Sequence, residues 1–215
     1  MKTKEKILWK ALDLFNEKGV DSVSSKQISD EMGISYGNLC YHYPRKDDIV
    51  MQLYVKFQEE LNNQFVEIQQ KGFEVEMMFE SLRKMLEIFY KYKFISLGFT
   101  SIVRRFPRIK KSALENFEQR KLVMRQIVDF LIAKGFVKFE RIEGHYDNIV
   151  HLTQIMLNAW ISDSETFYNG EQENKVDYYL EIFYSFMRPH LTPSGVDVFE
   201  EYYSYGENKL PMGGL

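Results

Sequence analysis

The stretch SSKQISDEMGISYGNLCYHYP, residues 24–44, decides how the chain is read. Ser24 with Gln27 three residues on fits a capping box, in which the hydroxyl and the carboxamide satisfy backbone amides at a helix start. Ile28 and Met32 face inward, Ser29 is small enough for a neighbouring helix to approach, and Gly33 ends this helix after about two turns. Ser35 caps a second short helix, Tyr36 to His42, which Pro44 stops by disfavouring helical backbone at Tyr43. Upstream, Lys4 to Lys18 reads as a helix burying Ile7, Leu8, Ala11, Leu14 and Phe15, ended by Gly19, with Asp21 and Ser22 in a turn. Two short helices joined by Gly33-Ile34-Ser35 have helix-turn-helix spacing, which lets the second helix enter a major groove while the first lies across the backbone. A helical hairpin with purely structural duties has the same spacing.

Residue identities separate the two. The second helix carries Tyr36, Asn38, Tyr41 and His42, side chains that hydrogen-bond to base edges or phosphates, whereas a core helix would be apolar there. Ser25 and Lys26 sit at the start of the preceding helix, where free amides and the helix dipole favour an anion, and Lys46 opens the next helix in the same way. As phosphate clamps, Lys26 and Lys46 compete with a reading as solvated surface lysines, and Ser24 and Ser35 are caps before they are contacts.

Outward from this stretch, Gly and Pro leave gaps of 18 to 27 residues between Arg45 and Arg188, too long for an all-β chain, and the gaps carry apolar residues at helical spacing. Ile49, Leu53, Phe57, Leu61, Phe65 and Ile68 mark the first; Ile149, Leu152, Ile155, Met156, Ala159 and Trp160 mark the fourth. The fold class is all-α. With 215 residues, 45% hydrophobic and 27% charged, the chain holds a sizeable core, which excludes disorder and collagen. The longest run without Lys, Arg, Asp or Glu, Asn148 to Ser162, falls short of the ~20 apolar residues of a membrane span. The start, MKTKEK, is unlike a signal peptide, so the expected location is the cytoplasm, with no membrane partner.

Lys+Arg 28 against Asp+Glu 31 gives a net charge of −3, divided as +2 over residues 1–46 and −5 over the remainder, a mild asymmetry compatible with a nucleic-acid-binding N-terminus. The single cysteine, Cys40, excludes an internal disulfide and a thiolate metal cluster. His42, His145, His151 and His190 are scattered; Asp147 and His151 share a helical face, but two ligands make no metal site. No phosphate loop or nucleophile elbow occurs, so neither an enzyme nor a cofactor is expected.

The run from Gly19-Val20 through Ile28, Met32-Gly33-Ile34-Ser35 and Gly37 to Ile49, including Leu39, Tyr41-His42-Tyr43 and Lys46, resembles the N-terminal domain of the tetracycline-repressor-like (TetR/AcrR) family of bacterial transcriptional regulators. The likeness covers about residues 4 to 53. Asn38 stands where Thr or Ser is usual, Cys40 where Tyr is common and Arg45 where a small polar residue often sits; an amide pairs with adenine as a hydroxyl cannot, so no operator sequence transfers. The resemblance implies a three-helix helix-turn-helix domain, residues 1–46, and a larger helical effector-binding and dimerisation domain, residues 47–215. Periodicity divides the latter into Asp47–Gln70, Glu74–Tyr92, Phe94–Phe106, Ile109–Lys134, Gly144–Phe167 and Asn174–His190, with a shorter helix from Ser194 to about Tyr205.

The function so implied is a homodimeric repressor that binds a palindromic double-stranded DNA operator and releases it on binding a small apolar or aromatic effector. Expected DNA contacts are Ser25, Lys26, Ser35, Tyr36, Asn38, Tyr41, His42 and Lys46. A pocket is expected among Met85, Phe89, Tyr92, Phe99, Ile102, Met156 and Trp160, though an aromatic stripe at helical spacing is more often ordinary core. A dimer interface is expected on the last two long helices, with Ile149, Leu152, Met156, Tyr179, Ile182, Phe183 and Phe186 facing either a partner or their own subunit. Arg104, Arg105 and Arg108 read as an anion site or as a solvated helix end. The competing function is a DNA-binding dimer whose C-terminal domain is a protein-interaction module without a small-molecule ligand.

Overall fold

The computed structural model describes residues 2–71 and 75–205. They form ten α-helices: α1 (Thr3–Lys18), α2 (Ser25–Glu31), α3 (Tyr36–His42), α4 (Lys46–Lys71), α5 (Val75–Lys91), α6 (Lys93–Arg105), α7 (Pro107–Ala133), α8 (His145–Thr166), α9 (Lys175–Met187) and α10 (Pro193–Tyr205). The expected all-α class is observed. Glu74, the expected start of the fifth helix, lies outside the described residues. The seventh helix starts two residues early because proline is tolerated at the first helical position. The expected helix Asn174–His190 is instead α9 flanked by single 3-10 turns, the second containing Pro189, which cannot donate to an α-helical ladder.

The chain divides into two compact units. One comprises Met1–Asn62 with Ile88–Ala113, the other Asn63–Glu87 with Leu114–Leu215.

In the first unit, α1 to α3 close around Ile7, Phe15, Ile28 and Leu39, with Ile49 and Leu53 of α4 buried as well. Local chemistry sets the boundaries. The Ser24 hydroxyl accepts from the Gln27 N–H at 3.2 Å while the Gln27 side chain accepts from the Ser24 N–H at 2.7 Å, the expected reciprocal cap. Gly19 (φ 77°) and Gly33 (φ 65°) supply the left-handed backbone that turns the chain out of α1 and past α2. Asn16 of α1 donates to the Lys91 carbonyl at 2.8 Å and accepts from the Phe94 N–H at 3.1 Å, fastening α1 to the α5–α6 junction.

In the second unit, a cluster around Val128, Leu131, Val137, Tyr146, Val150 and Leu191 forms a buried core. Val137 and Leu191 meet in an isolated antiparallel bridge. Beside it the Thr192 N–H donates to the Phe136 carbonyl at 3.0 Å, and the Thr192 hydroxyl donates to the Gly135 carbonyl at 2.6 Å. Gly195, buried in the first turn of α10, lies so close to the Phe136 carbonyl that no β-carbon fits.

Candidate nucleic-acid interface and effector cavity

The short α3 divides sharply between inside and outside. Leu39 is wholly buried and Tyr43, its C-cap, nearly so, while Tyr36 is 53% and Tyr41 84% exposed. Asn38 is exposed and His42, stacked edge-on against Tyr41 at 5.1 Å, is half-buried. The Ser35 hydroxyl accepts from the Asn38 N–H at 3.2 Å, so the cap role is filled and the Asn38 carboxamide projects from the first turn. Burial, and secondarily the Glu5 carboxylate, push the Tyr43 phenol up to about 12, so it stays neutral at the end of α3. Cys40 is half-buried beside Tyr36, whose phenol is raised first by its hydrogen bond to that thiol.

The cations around α3 are less free than their spacing suggests. Lys26, exposed on α2, pairs with Asp30 at 3.2 Å, and Ser25 is half-buried at the first position of that helix. Lys46 is not a solvated lysine: its ammonium donates to the carbonyls of Val20 at 2.7 Å and Val23 at 2.8 Å, binding the start of α4 to the turn before α2. An ammonium has three donors, so these two carbonyls leave one of them unused. Arg45 donates through backbone and guanidinium to Asp48, and that pairing holds the Asp48 carboxyl below its ordinary range. Arg105, the middle of the three arginines expected as an anion site or a solvated helix end, is in a bidentate pair with Asp47 of α4 at 2.6 and 3.3 Å. Arg104 and Arg108 are exposed.

An apolar cavity of about 150 Å³ lies inside the second unit. Four methionines, Met78, Met85, Met124 and Met187, line it with aromatic and aliphatic side chains; Thr153 and Tyr184 bring the polar atoms among the described residues, and no charged group does. The Thr153 hydroxyl is already spent on the Ile149 carbonyl at 2.9 Å. Burial pushes the Tyr184 phenol far above its ordinary value; Arg83 opposes this, and Asp177 and Glu181 reinforce it.

Of the seven residues expected to form a pocket, Met85 lines this one. Phe89, Tyr92, Phe99 and Ile102 belong to the first unit, where Tyr92 is fully buried and donates to Glu60 at 2.8 Å, and Phe99 is exposed. Trp160 is buried against Tyr179 and Met156 is half-buried, neither at the cavity. Phe79, Met124, Tyr184 and Phe199 went unforeseen; the periodic run Met124, Ile127, Val128, Leu131 marks an inward face of α7 but not the void beside it. Of the expected interface residues, Leu152 and Ile182 are exposed, with Ile155 and Tyr178 beside them on the same helices, whereas Ile149, Tyr179 and Phe183 are buried within the chain; Met156 and Phe186 are half-buried.

Among the described residues no helix is long and apolar enough to cross a membrane, and no group of three or more His, Cys, Asp or Glu is placed to hold a metal ion.

Comparison with known proteins agrees with this geometry. Residues 7–53 match the model of the bacterial regulatory proteins of the tetR family, and residues 56–199 match the TetR model described as a bacterial transcriptional repressor. Among curated proteins none matches the chain. In fold it resembles a TetR-family transcriptional regulator from Marinobacter aquaeolei VT8, with TM-score 0.83 and 21% identity over 94% of this chain and 99% of that one. It also resembles the TetR family protein CprB from S. coelicolor A3(2), with TM-score 0.70 and 15% identity over 94% of each chain. The ketosteroid transcriptional regulator KstR2 of Mycobacterium tuberculosis is similar at TM-score 0.68 and 14% identity, over 89% of this chain and 96% of that one. At such identities the likenesses establish the fold, while the two sequence models together run from the helix-turn-helix to α10: the chain belongs to the TetR family of DNA-binding bacterial transcriptional regulators.

Proposed function

We propose that the protein is a homodimeric, ligand-responsive repressor, with residues 1–46 reading DNA and residues 47–215 binding effector and partner. The observation that carries this reading is the polarity of α3, anchored inward by Leu39 while Tyr36, Asn38 and Tyr41 face solvent. Those three with His42 read base edges or adjacent phosphates, and Ser25, Lys26, Ser35 and Lys46 fix the backbone register. A seven-residue reader makes few contacts, so two copies about one DNA turn apart, ~34 Å, supply affinity and require a roughly palindromic operator. Leu152, Ile155, Tyr178 and Ile182, exposed apolar residues of α8 and α9, supply the surface on which the copies pair.

The uncharged cavity favours a small apolar or aromatic effector over a C-terminal domain without a ligand. An effector that prefers a conformation with mismatched reader spacing weakens operator binding by its differential affinity, typically ~1 to 3 kcal/mol.

The test is selection of binding sites from random duplex DNA, repeated with Tyr41→Ala and Asn38→Ala. Inverted half-sites are expected, with binding weakened in the first variant and preference relaxed at one position per half-site in the second. A non-symmetric site, or profiles indifferent to both substitutions, refutes the reading.

A further inference from the structure

The apolar cavity has a neighbour. A smaller cavity of about 60 Å³ is bordered by Phe79, Tyr184 and Phe199, and the same three side chains border the larger one. Their rings are in contact, Phe79 to Tyr184 at 4.7 Å and Phe79 to Phe199 at 4.6 Å, so one layer of aromatic side chains divides the two spaces. A rotamer change of one of these rings is the motion by which the two spaces would join.

The smaller space is chemically unlike the larger. Glu181 and Ser185 line it from α9, Arg188 from the 3-10 turn that follows, and Glu200 from α10. Arg188 and Glu200 compensate each other at 2.9 Å. Glu181 has no such partner: its Oε2 is buried and accepts no hydrogen bond among the described residues. A buried carboxylate oxygen without a donor is costly, and what relieves it is a hydrogen-bond donor, best a charged one.

We propose that the two cavities are one bipartite effector site, and that the effector is an amphiphile with a donor head, a primary amine, held by Glu181, and an uncharged apolar body seated in the larger cavity. This rests on the reading of that cavity as the effector site. A void of about 150 Å³ takes a body the size of a single benzene ring, and four thioethers let it adapt to a flat one. A carboxylate head is excluded by repulsion from Glu181, and a sugar or nucleotide by the lack of polar groups in the larger space.

The test uses the full-length protein and four probes sharing a phenylethyl body: 2-phenylethylamine, 2-phenylethanol, ethylbenzene and 3-phenylpropionate, with affinity measured by titration calorimetry and ligand-induced melting shift. The amine is expected to bind roughly ten-fold or more tighter than ethylbenzene, one charge-assisted hydrogen bond's worth, with 3-phenylpropionate weakest. Glu181→Gln, and Glu181→Leu as a second variant, should abolish the amine's advantage and leave ethylbenzene binding unchanged. Equal affinity for amine and carboxylate, an amine advantage that survives both substitutions, or no binding of any probe overturns the proposal. The expected order without any change in operator affinity leaves the bipartite site standing and overturns the effector reading instead.

Discussion

Lys46 ties the start of α4 to the turn before α2, and the phosphate contact proposed for it is a second role that one substitution tests alongside the first. Lys46→Met keeps most of the apolar stem and removes the ammonium, so the Val20 and Val23 carbonyls lose donors at 2.7 and 2.8 Å. Hydrogen bonds to a charged group contribute about 1.5 to 3 kcal/mol each. Val20 is half-buried, and water replaces most of its loss; Val23 is 1% exposed, and its loss stands. The expected destabilisation is therefore about 2 to 3 kcal/mol, which for a chain of this length lowers the melting temperature by roughly 4 to 12 °C. The remaining donor, if it meets a phosphate, adds a second signature: each phosphate contact contributes about 0.9 to the slope of log affinity against log salt, so losing one Lys46 per half-site flattens a dimer's slope by about 1.8. Scanning calorimetry gives the first quantity and fluorescence anisotropy on a labelled operator from low to moderate salt gives the second. A melting point within a degree of wild type refutes the structural tie. An unchanged salt slope removes Lys46 from the phosphate contacts whatever the melting point does.

Two glycines should respond oppositely to alanine. Gly195→Ala places a methyl against the Phe136 carbonyl and should destabilise by about 1 to 3 kcal/mol, whereas Gly37→Ala, with nothing within 4 Å, should stabilise by about 1 kcal/mol through helix propensity; urea melts that rank them the other way contradict the packing of α10. His190 titrates low because of burial first, then His145, whose Nε2 lies 3.5 Å from its Nδ1, and Lys138. Because the unfolded chain then takes up a proton that the folded chain resists, stability should fall as pH drops below about 6.5, and His190→Gln should flatten that part of the melting-temperature profile; an identical profile in the variant refutes it.

What could be read in the sequence was what neighbours in the chain decide. The caps at Ser24 and Ser35, the turns at Gly19 and Gly33 and the stop at Pro44 act within four residues, and the helices begin and end where they require. The partners of Lys46 lie 23 and 26 residues away, so its place at a helix start offers a phosphate clamp or a solvated lysine and not this tie. The cavity was less legible still, because a void is a property of several helices at once: periodicity marks Phe89, Tyr92, Met124 and Trp160 alike as apolar and inward, and only packing puts Met124 at the void and the others elsewhere. The same ambiguity governs α8, which is apolar on more than one side. Spacing identified Ile149 and Leu152 equally, but one is buried in its own chain and the other faces outward.

The partition within α3 bears on how a helix proposed to read DNA would change its target. Leu39 and Tyr43, both buried, and the Ser35 cap hold the helix. Tyr36, Asn38 and Tyr41 project away from that anchor, so substitutions among them leave the buried contacts intact and cost little stability. Asn38 and Cys40 depart from the commonest family pattern at such positions, one exposed and one half-buried, while Leu39 between them keeps to it. The anchoring residues and those proposed to read bases thus lie on different faces of one two-turn helix. On the proposed reading, base preference shifts by single residues without any change in fold, so likeness at 14 to 21% identity establishes this chain's architecture and says nothing of its operator.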